Sequence, residues 1–133
     1  MTPMTLSKLA TAKVYPVLPA EDIHRAHKFY AEVLGLEVEP VSGGPELFVH
    51  LGGGTKIYMY ERARTVAEHT VATFLVEDLR ATMAELRARG VTFEEYDLPS
   101  GLKTIDGVAE SPTELAAWFT DSEGNIISVA QMK

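Results

Sequence analysis

Five tyrosines, four histidines and no cysteine set the chemistry open to this 133-residue chain. Without thiols there is no disulfide, no thiolate metal site and no cysteine nucleophile. Tyr58 and Tyr60 stand two apart in Lys56-Ile57-Tyr58-Met59-Tyr60. A strand there shows both phenols on one face and Ile57 and Met59 on the other. The same alternation pairs Tyr15 with Val17, Val71 with Thr73 and Leu75, and Ser128 with Ala130. The opposite faces, carrying Val14 and Leu18, Phe74 and Val76, Ile127 and Val129, are apolar as a core requires. The first set is aromatic with scattered hydroxyls. Such a lining suits a flat or amphipathic small molecule, the rings giving affinity and the hydroxyls orientation. Tyrosines that merely fill the space are the competing reading. Trp118 either shares the lining or caps a contact between subunits. His50, alternating with apolar neighbours in Leu47–Leu51, and the tyrosines are the candidate general acids and bases.

The other chemistry-bearing residue types have plainer explanations. His24 and His27 fall in a helical stretch, and His69 in a linker. Gly52-Gly53-Gly54 lacks the spaced Gly-Lys-Ser/Thr of a phosphate loop and precedes a strand, so it reads as a hairpin turn. Asp121-Ser122-Glu123-Gly124-Asn125 has the look of a calcium-loop fragment but the placing of a strand-joining turn. Arg80, Arg87 and Arg89 cluster on a helix and read as a solvated face. A formal net charge of −7 argues against nucleic acid, which needs a basic surface. No apolar run reaches the roughly 20 residues that span a bilayer, so no membrane partner is expected. Met1–Lys13 lacks the continuous apolar stretch of a signal peptide, and the expectation is a cytoplasmic protein.

What must position the tyrosines is a repeat. Asp22 opens a helical stretch after the apolar run Val14–Leu18, and Asp78 opens another after Val71–Val76. Each stretch leads into a glycine, Gly35 or Gly90, and then a strand-like segment. A unit of this size cannot bury its apolar face alone, so two copies must share one core. The first helix is predicted over about 22–34 and the second over about 78–89, with Asp22 and Asp78 as caps. Strands are predicted near 14–18, 37–41, 46–51, 56–61, 71–76, 92–96, 116–120 and 126–130. Gly43-Gly44-Pro45 and Gly52–Gly54 supply turns, and residues 1–12 read as a loose arm or an added edge element. Module one covers about 13–62 and module two about 69–132 of one domain over 1–133, joined by the polar segment Arg62–Glu68. Leu98–Glu114 has no counterpart in module one and is expected to be a lid, a binding loop or a surface excursion.

Phe29-Tyr30-Ala31-Glu32-Val33-Leu34-Gly35-Leu36 and Ala117–Asn125, with their FY-x-x-VLG-L and D-x-x-GN patterns, resemble the vicinal oxygen chelate superfamily. That superfamily groups glyoxalases, extradiol dioxygenases, epimerases and bleomycin-resistance proteins, and the resemblance spans roughly 13–132. It implies an α+β fold in which two βαβββ modules form an open, cupped mixed β-sheet barrel with helices outside. Metal-dependent relatives place ligands on the first and last strand of each module. Carried over by the family pattern, those positions fall on Tyr15, Tyr58, Val71 and Ser128. That set makes no plausible divalent-cation site. A site rescued by His50, His69 and a carboxylate is the alternative. The resemblance therefore implies a metal-free protein without cofactor, holding an apolar or aromatic ligand in a cup lined by Tyr15, Val17, His50, Tyr58, Tyr60, Val71, Thr73, Trp118 and Ser128. The runner-up is an enzyme: glyoxalase-like or dioxygenase-like with displaced ligands, or a metal-free lyase or isomerase. Unpaired sheet edges and the resemblance together point to a homodimer.

Overall fold

The computed structural model describes residues 5–41, 44–66 and 68–133. Residues 1–4 of the arm, Gly43 of the first turn and Ala67 of the linker lie outside the described residues. In chain order the elements are β1 (Val17–Ala20), α1 (Ile23–Lys28, continued by a wider π-helical turn, Phe29–Val33), β2 (Glu37–Pro40), β3 (Glu46–His50) and β4 (Lys56–Glu61). Then follow β5 (Thr70–Leu75), α2 (Leu79–Ala88), β6 (Ala109–Glu110), β7 (Glu114–Thr120) and β8 (Ile126–Met132). Two four-stranded sheets result, in the orders β1-β4-β3-β2 and β5-β8-β7-β6. In each, the first strand runs parallel to the last and the other pairs are antiparallel. Neither sheet closes on itself, and the α+β class expected from the resemblance is present.

The repeat is visible atom by atom. Asp22 caps α1 by accepting from the His24 and Arg25 N–H groups, and Asp78 caps α2 by accepting from Ala81. The first helical N–H of each module is then taken by a side chain of that module's last strand. Ile23 donates to Glu61 Oε2 at 3.2 Å, and Leu79 donates to Gln131 Oε1 at 2.9 Å. Glu61 and Gln131 sit equally far beyond Tyr58 and Ser128. Gly35 and Gly90 adopt positive φ (71° and 97°) to turn the chain out of the helices.

One apolar cluster joins the modules: Leu18, Ala26, Tyr30, Leu47, Val49, Ile57 and Met59 from the first, Leu79, Met83, Phe119, Ile127 and Val129 from the second. Full burial of each large member stabilises the fold by about 1.5–3 kcal/mol. A polar clamp reinforces the junction. Glu123 accepts from Arg25 Nε (2.8 Å) and Nη2 (3.0 Å) and from the Asp22 N–H (2.9 Å). Asn125 Nδ2 donates to the Pro19 carbonyl, and the Tyr30 hydroxyl donates to Asp121 Oδ2 at 2.6 Å. The turn that resembled a calcium fragment is thus a strand-joining turn whose acids are spent on holding module one.

Three expectations need correction. The first strand begins at Val17 rather than Val14, leaving Tyr15 outside it. Pairing sets this start: the Pro16 carbonyl accepts from Tyr58, and the ladder with β4 runs only from Val17. The strand expected at 92–96 is reduced to a single bridge, Phe93 to Phe119. The rest of the edge beside β7 is taken by β6, which belongs to the supposed excursion Leu98–Glu114. That segment is anchored rather than loose: Thr104 and Val108 are buried, and Glu95 accepts from Thr104 Oγ1 and the Gly107 N–H, both at 2.7 Å.

Candidate functional site

On β3 and β4 the alternation holds. Leu47, Val49, Ile57 and Met59 are buried, so Glu46, Phe48, His50, Lys56, Tyr58 and Tyr60 share the other face. Register brings Phe48 opposite Tyr58, with ring centroids 5.3 Å apart. Tyr60 stacks on Tyr58 at 6.3 Å and an interplanar angle of 21°. Tyr15, 43% exposed, lies ahead of β1 yet still sets its ring edge-on to Phe48 at 6.1 Å. Lys56 Nζ stands 4.2 Å from the Phe48 centroid, a cation–π contact on the same wall. Val17, opposite Tyr58 in the parallel ladder, is 52% exposed. The first sheet therefore presents four clustered rings on a face that no helix covers.

Two polar features border the rings. The Glu46 carboxylate, placed to accept from the Tyr58 hydroxyl, and partial burial push that phenol up to about 12. Tyr58 is protonated across the physiological range, its one proton directed at Glu46 and its oxygen open as an acceptor. His50 Nε2 lies 2.9 Å from Glu39 Oε1, a pairing that fixes the ring.

Module two brings a second group together. Ser128, 5% exposed, lies between Trp118 on β7 and Thr73 on β5 in the sheet register. The Thr73 and Ser128 hydroxyls share a hydrogen bond of 2.5 Å. Trp118 Nε1 donates to Thr70 Oγ1 at 3.0 Å, and the Tyr96 ring meets the indole edge-on at 5.5 Å. Val71 departs from the expected lining. A β-bulge between Thr70 and Ala72 breaks the alternation, and Val71 packs against the core instead. Among the described residues no hydrogen bond or ring contact joins the Tyr58 group to the Ser128 group. The modules approach at a shallow cleft of about 210 Å³, where Val14, Pro16 and Lys56 face Ala72, Thr73 and Phe74.

The donor set does not fit a metal. Val71 has no donor atom, Ser128 is committed to Thr73, and Tyr58 is held protonated by Glu46. Among the described residues no three His, Asp or Glu side chains converge as metal ligands, and His50 pairs with Glu39. Phe48, Glu46, Lys56, Tyr96 and Thr70 join the candidate site without having been expected. The signal for the first two was present, since Glu46, Phe48 and His50 alternate with Leu47 and Val49. Tyr96 and Thr70 are set by long-range pairing that no local pattern encodes.

A family model described as the glyoxalase/bleomycin resistance protein/dioxygenase superfamily matches residues 13–129. No curated protein sequence matches the chain. Among solved structures, UcmS2 is similar with a TM-score of 0.68 at 23% identity, covering 90% of this chain and 98% of that one. TnmS3, an antibiotic binding protein from Streptomyces sp. CB03234, aligns with a TM-score of 0.62 at 20% identity over 92% and 98% of the two chains. Lactoylglutathione lyase from Agrobacterium tumefaciens aligns with a TM-score of 0.63 at 20% identity over 91% and 93%. At these identities the likeness is one of fold.

Proposed function

The chain belongs to the glyoxalase/bleomycin resistance protein/dioxygenase superfamily, and from that premise we propose that it is a metal-free small-molecule-binding protein. Its ligand is a flat apolar or aromatic molecule held against Tyr15, Phe48, Tyr58 and Tyr60. The observation that carries this reading is the open ring cluster on β3 and β4. Burying an aromatic side chain is worth several kcal/mol, so four adjacent rings, Tyr15 exposed and Phe48, Tyr58 and Tyr60 half-buried, favour an occupant. The Tyr58 oxygen and the second oxygen of the Glu46 carboxylate beside it supply acceptors for orientation. Similarity to an antibiotic binding protein, TnmS3, supports binding without turnover.

A homodimer completes the proposal. Val17 and Leu75, 52% and 71% exposed, sit on the uncovered faces of the two sheets. A second copy placing its Ser128–Trp118 face over the ring cluster covers both and encloses the ligand. Val71, half-buried against the core, drops from the lining, and Phe48 and Glu46 enter it.

Calorimetric titration with naphthol tests the reading, comparing the parent with Tyr58→Ala. Aromatic anchors in pockets often contribute about 2 kcal/mol, so the variant is expected to bind more than about tenfold more weakly while remaining folded. Equal affinity overturns the assignment. The second reading, a metal-free lyase or isomerase, draws on the His50–Glu39 pair, which stands on the same face as Tyr58 and resembles an acid–base partner for a bound substrate.

A further inference from the structure

A cleft away from the aromatic face carries a different chemistry. It lies between α2 and the segment that follows the Phe93 bridge, and it encloses about 520 Å³, within the range of small-molecule sites. Arg80, Met83 and Arg87 form one wall, standing on a single face of α2 at helical spacing. The other wall is the loop from Lys103 to Glu110. The loop is seated firmly: a side chain at Gly107 would meet Met83 Cε at 3.0 Å and Phe93 Cβ at 3.3 Å. Buried Met83 and Val108 give the cleft an apolar floor, and Ile105, 70% exposed, leaves an uncovered apolar surface at its mouth.

Its charge is unusual for this chain. Three cations, Arg80, Arg87 and Lys103, face two carboxylates, Asp106 and Glu110. Glu110 is already engaged, accepting from Lys133 Nζ at 2.6 Å. Arg87 is fixed as a rim, donating to the Asp106 carbonyl at 3.1 Å with its guanidinium 5.3 Å from the Phe93 centroid. Among the described residues no side-chain hydrogen bond or ion pair engages Arg80 or Lys103, though after the Lys133 bond the Arg80 charge helps hold the Glu110 carboxyl low. A protein of net charge −7 thus carries one more cation than carboxylates in the lining of this cleft, over an apolar floor.

We propose that this cleft is a second binding site, for a small organic anion: a carboxylate or phosphate group on a compact apolar body. Arg80 and Lys103 engage the anion, and Met83, Val108 and Ile105 receive the apolar part. This site stands apart from the ring cluster and does not rest on the function proposed for it. An arginine and a lysine that only solvate a helix face need no enclosed floor, and a purely apolar cleft needs no convergent cations.

Nuclear magnetic resonance of the isotopically labelled protein, titrated with naphthoate and with its uncharged analogue naphthamide, tests the proposal. Naphthoate should shift the Met83 methyl and the amides of Lys103–Glu110. Two exposed charge contacts together contribute about tenfold, so naphthoate should bind about tenfold more tightly than naphthamide, and Arg80→Gln/Lys103→Gln should abolish that difference. If the double variant's own spectrum is disturbed, Arg80→Gln alone carries the comparison at about threefold. Equal affinities for the two probes, a difference that survives the substitutions, or the absence of shifts at millimolar naphthoate overturns the proposal. Naphthoate shifts confined to Trp118 do so as well, because the neighbouring trough beside that residue shares Lys103 and Glu110.

Discussion

Tyr30→Phe isolates the bond that ties the first helix to the second module. Tyr30 is fully buried, and its hydroxyl donates to Asp121 Oδ2 at 2.6 Å. The substitution removes one oxygen and leaves the ring against Phe29, so cavity formation contributes little. Asp121 keeps the Asn125 side chain on Oδ2 and the Glu123 and Asn125 N–H groups on Oδ1. What is lost is one charge-assisted hydrogen bond, worth about 2 kcal/mol. For a domain of this size that corresponds to a fall in Tm of about 6–8 °C. The pH dependence gives a sharper signature. Burial first, and then the Asp121 charge, hold the Tyr30 phenol well above its ordinary value. An unfolded-state tyrosine titrates near about pH 10. Below that pH both states keep the proton and the bond contributes fully. Above it the unfolded chain releases the proton while the folded chain retains it, so the contribution falls as pH rises towards the folded value. Tyr30→Phe has no such proton. Urea denaturation at pH 7 and at stepwise higher pH should show a gap of about 2 kcal/mol that narrows from about pH 10 upward. A variant as stable as the parent at pH 7, or a gap unchanged at high pH, refutes the reasoning.

Glu123→Gln should destabilise by about 2 kcal/mol at pH 7, less than for a wholly buried pair because Arg25 is half-exposed. Burial works to raise the Glu123 carboxyl, but bonds from Arg25, Asp22 and Ser122 outweigh it and hold the group low. Its contribution is therefore present above about pH 4 and lost as acid carries the pH below that, so the parent and Glu123→Gln should converge in acid urea titrations. Gly35→Ala should cost about 1 kcal/mol through its positive φ, with little added by the Arg89 guanidinium, a flexible end that swings aside. Thermal melts of Gly35→Ala with and without Arg89→Ala should agree in that penalty. Val17→Glu/Leu75→Glu should halve the mass seen by light scattering at micromolar concentration while preserving the circular dichroism of the parent.

Local patterns carried the reading of the modules a long way. Asp22 and Asp78 are legible because a cap needs only its own side chain and the next three amides. The partition of Ile57 and Met59 from Tyr58 and Tyr60 is legible because strand periodicity is local. The start of β1 was not, because Val14, Tyr15 and Val17 are equally strand-like and pairing with β4 decides where the ladder begins. Val71 was misplaced for a related reason: a bulge reverses the facing of a residue without altering composition. The free edge of β7 is shared, Phe93 bridging Phe119 towards one end and Ala109–Glu110 pairing with Ala116 and Leu115 towards the other, a division that long-range pairing decides. The clamp from Asp121, Glu123 and Asn125 joins residues about a hundred positions apart, beyond any periodicity argument.

If an open aromatic face binds a flat ligand without metal, chelation leaves that binding intact. The most direct measurement is an amide chemical-shift map of naphthol bound to protein dialysed against a chelator. Shifts are expected at Phe48, Tyr58 and Tyr60, with Thr73, Trp118 and Ser128 joining them in the dimer, and the same map when zinc or manganese is restored. Shifts that appear only after metal is added, or a map that leaves β3 and β4 untouched, would contradict metal-free binding at this face.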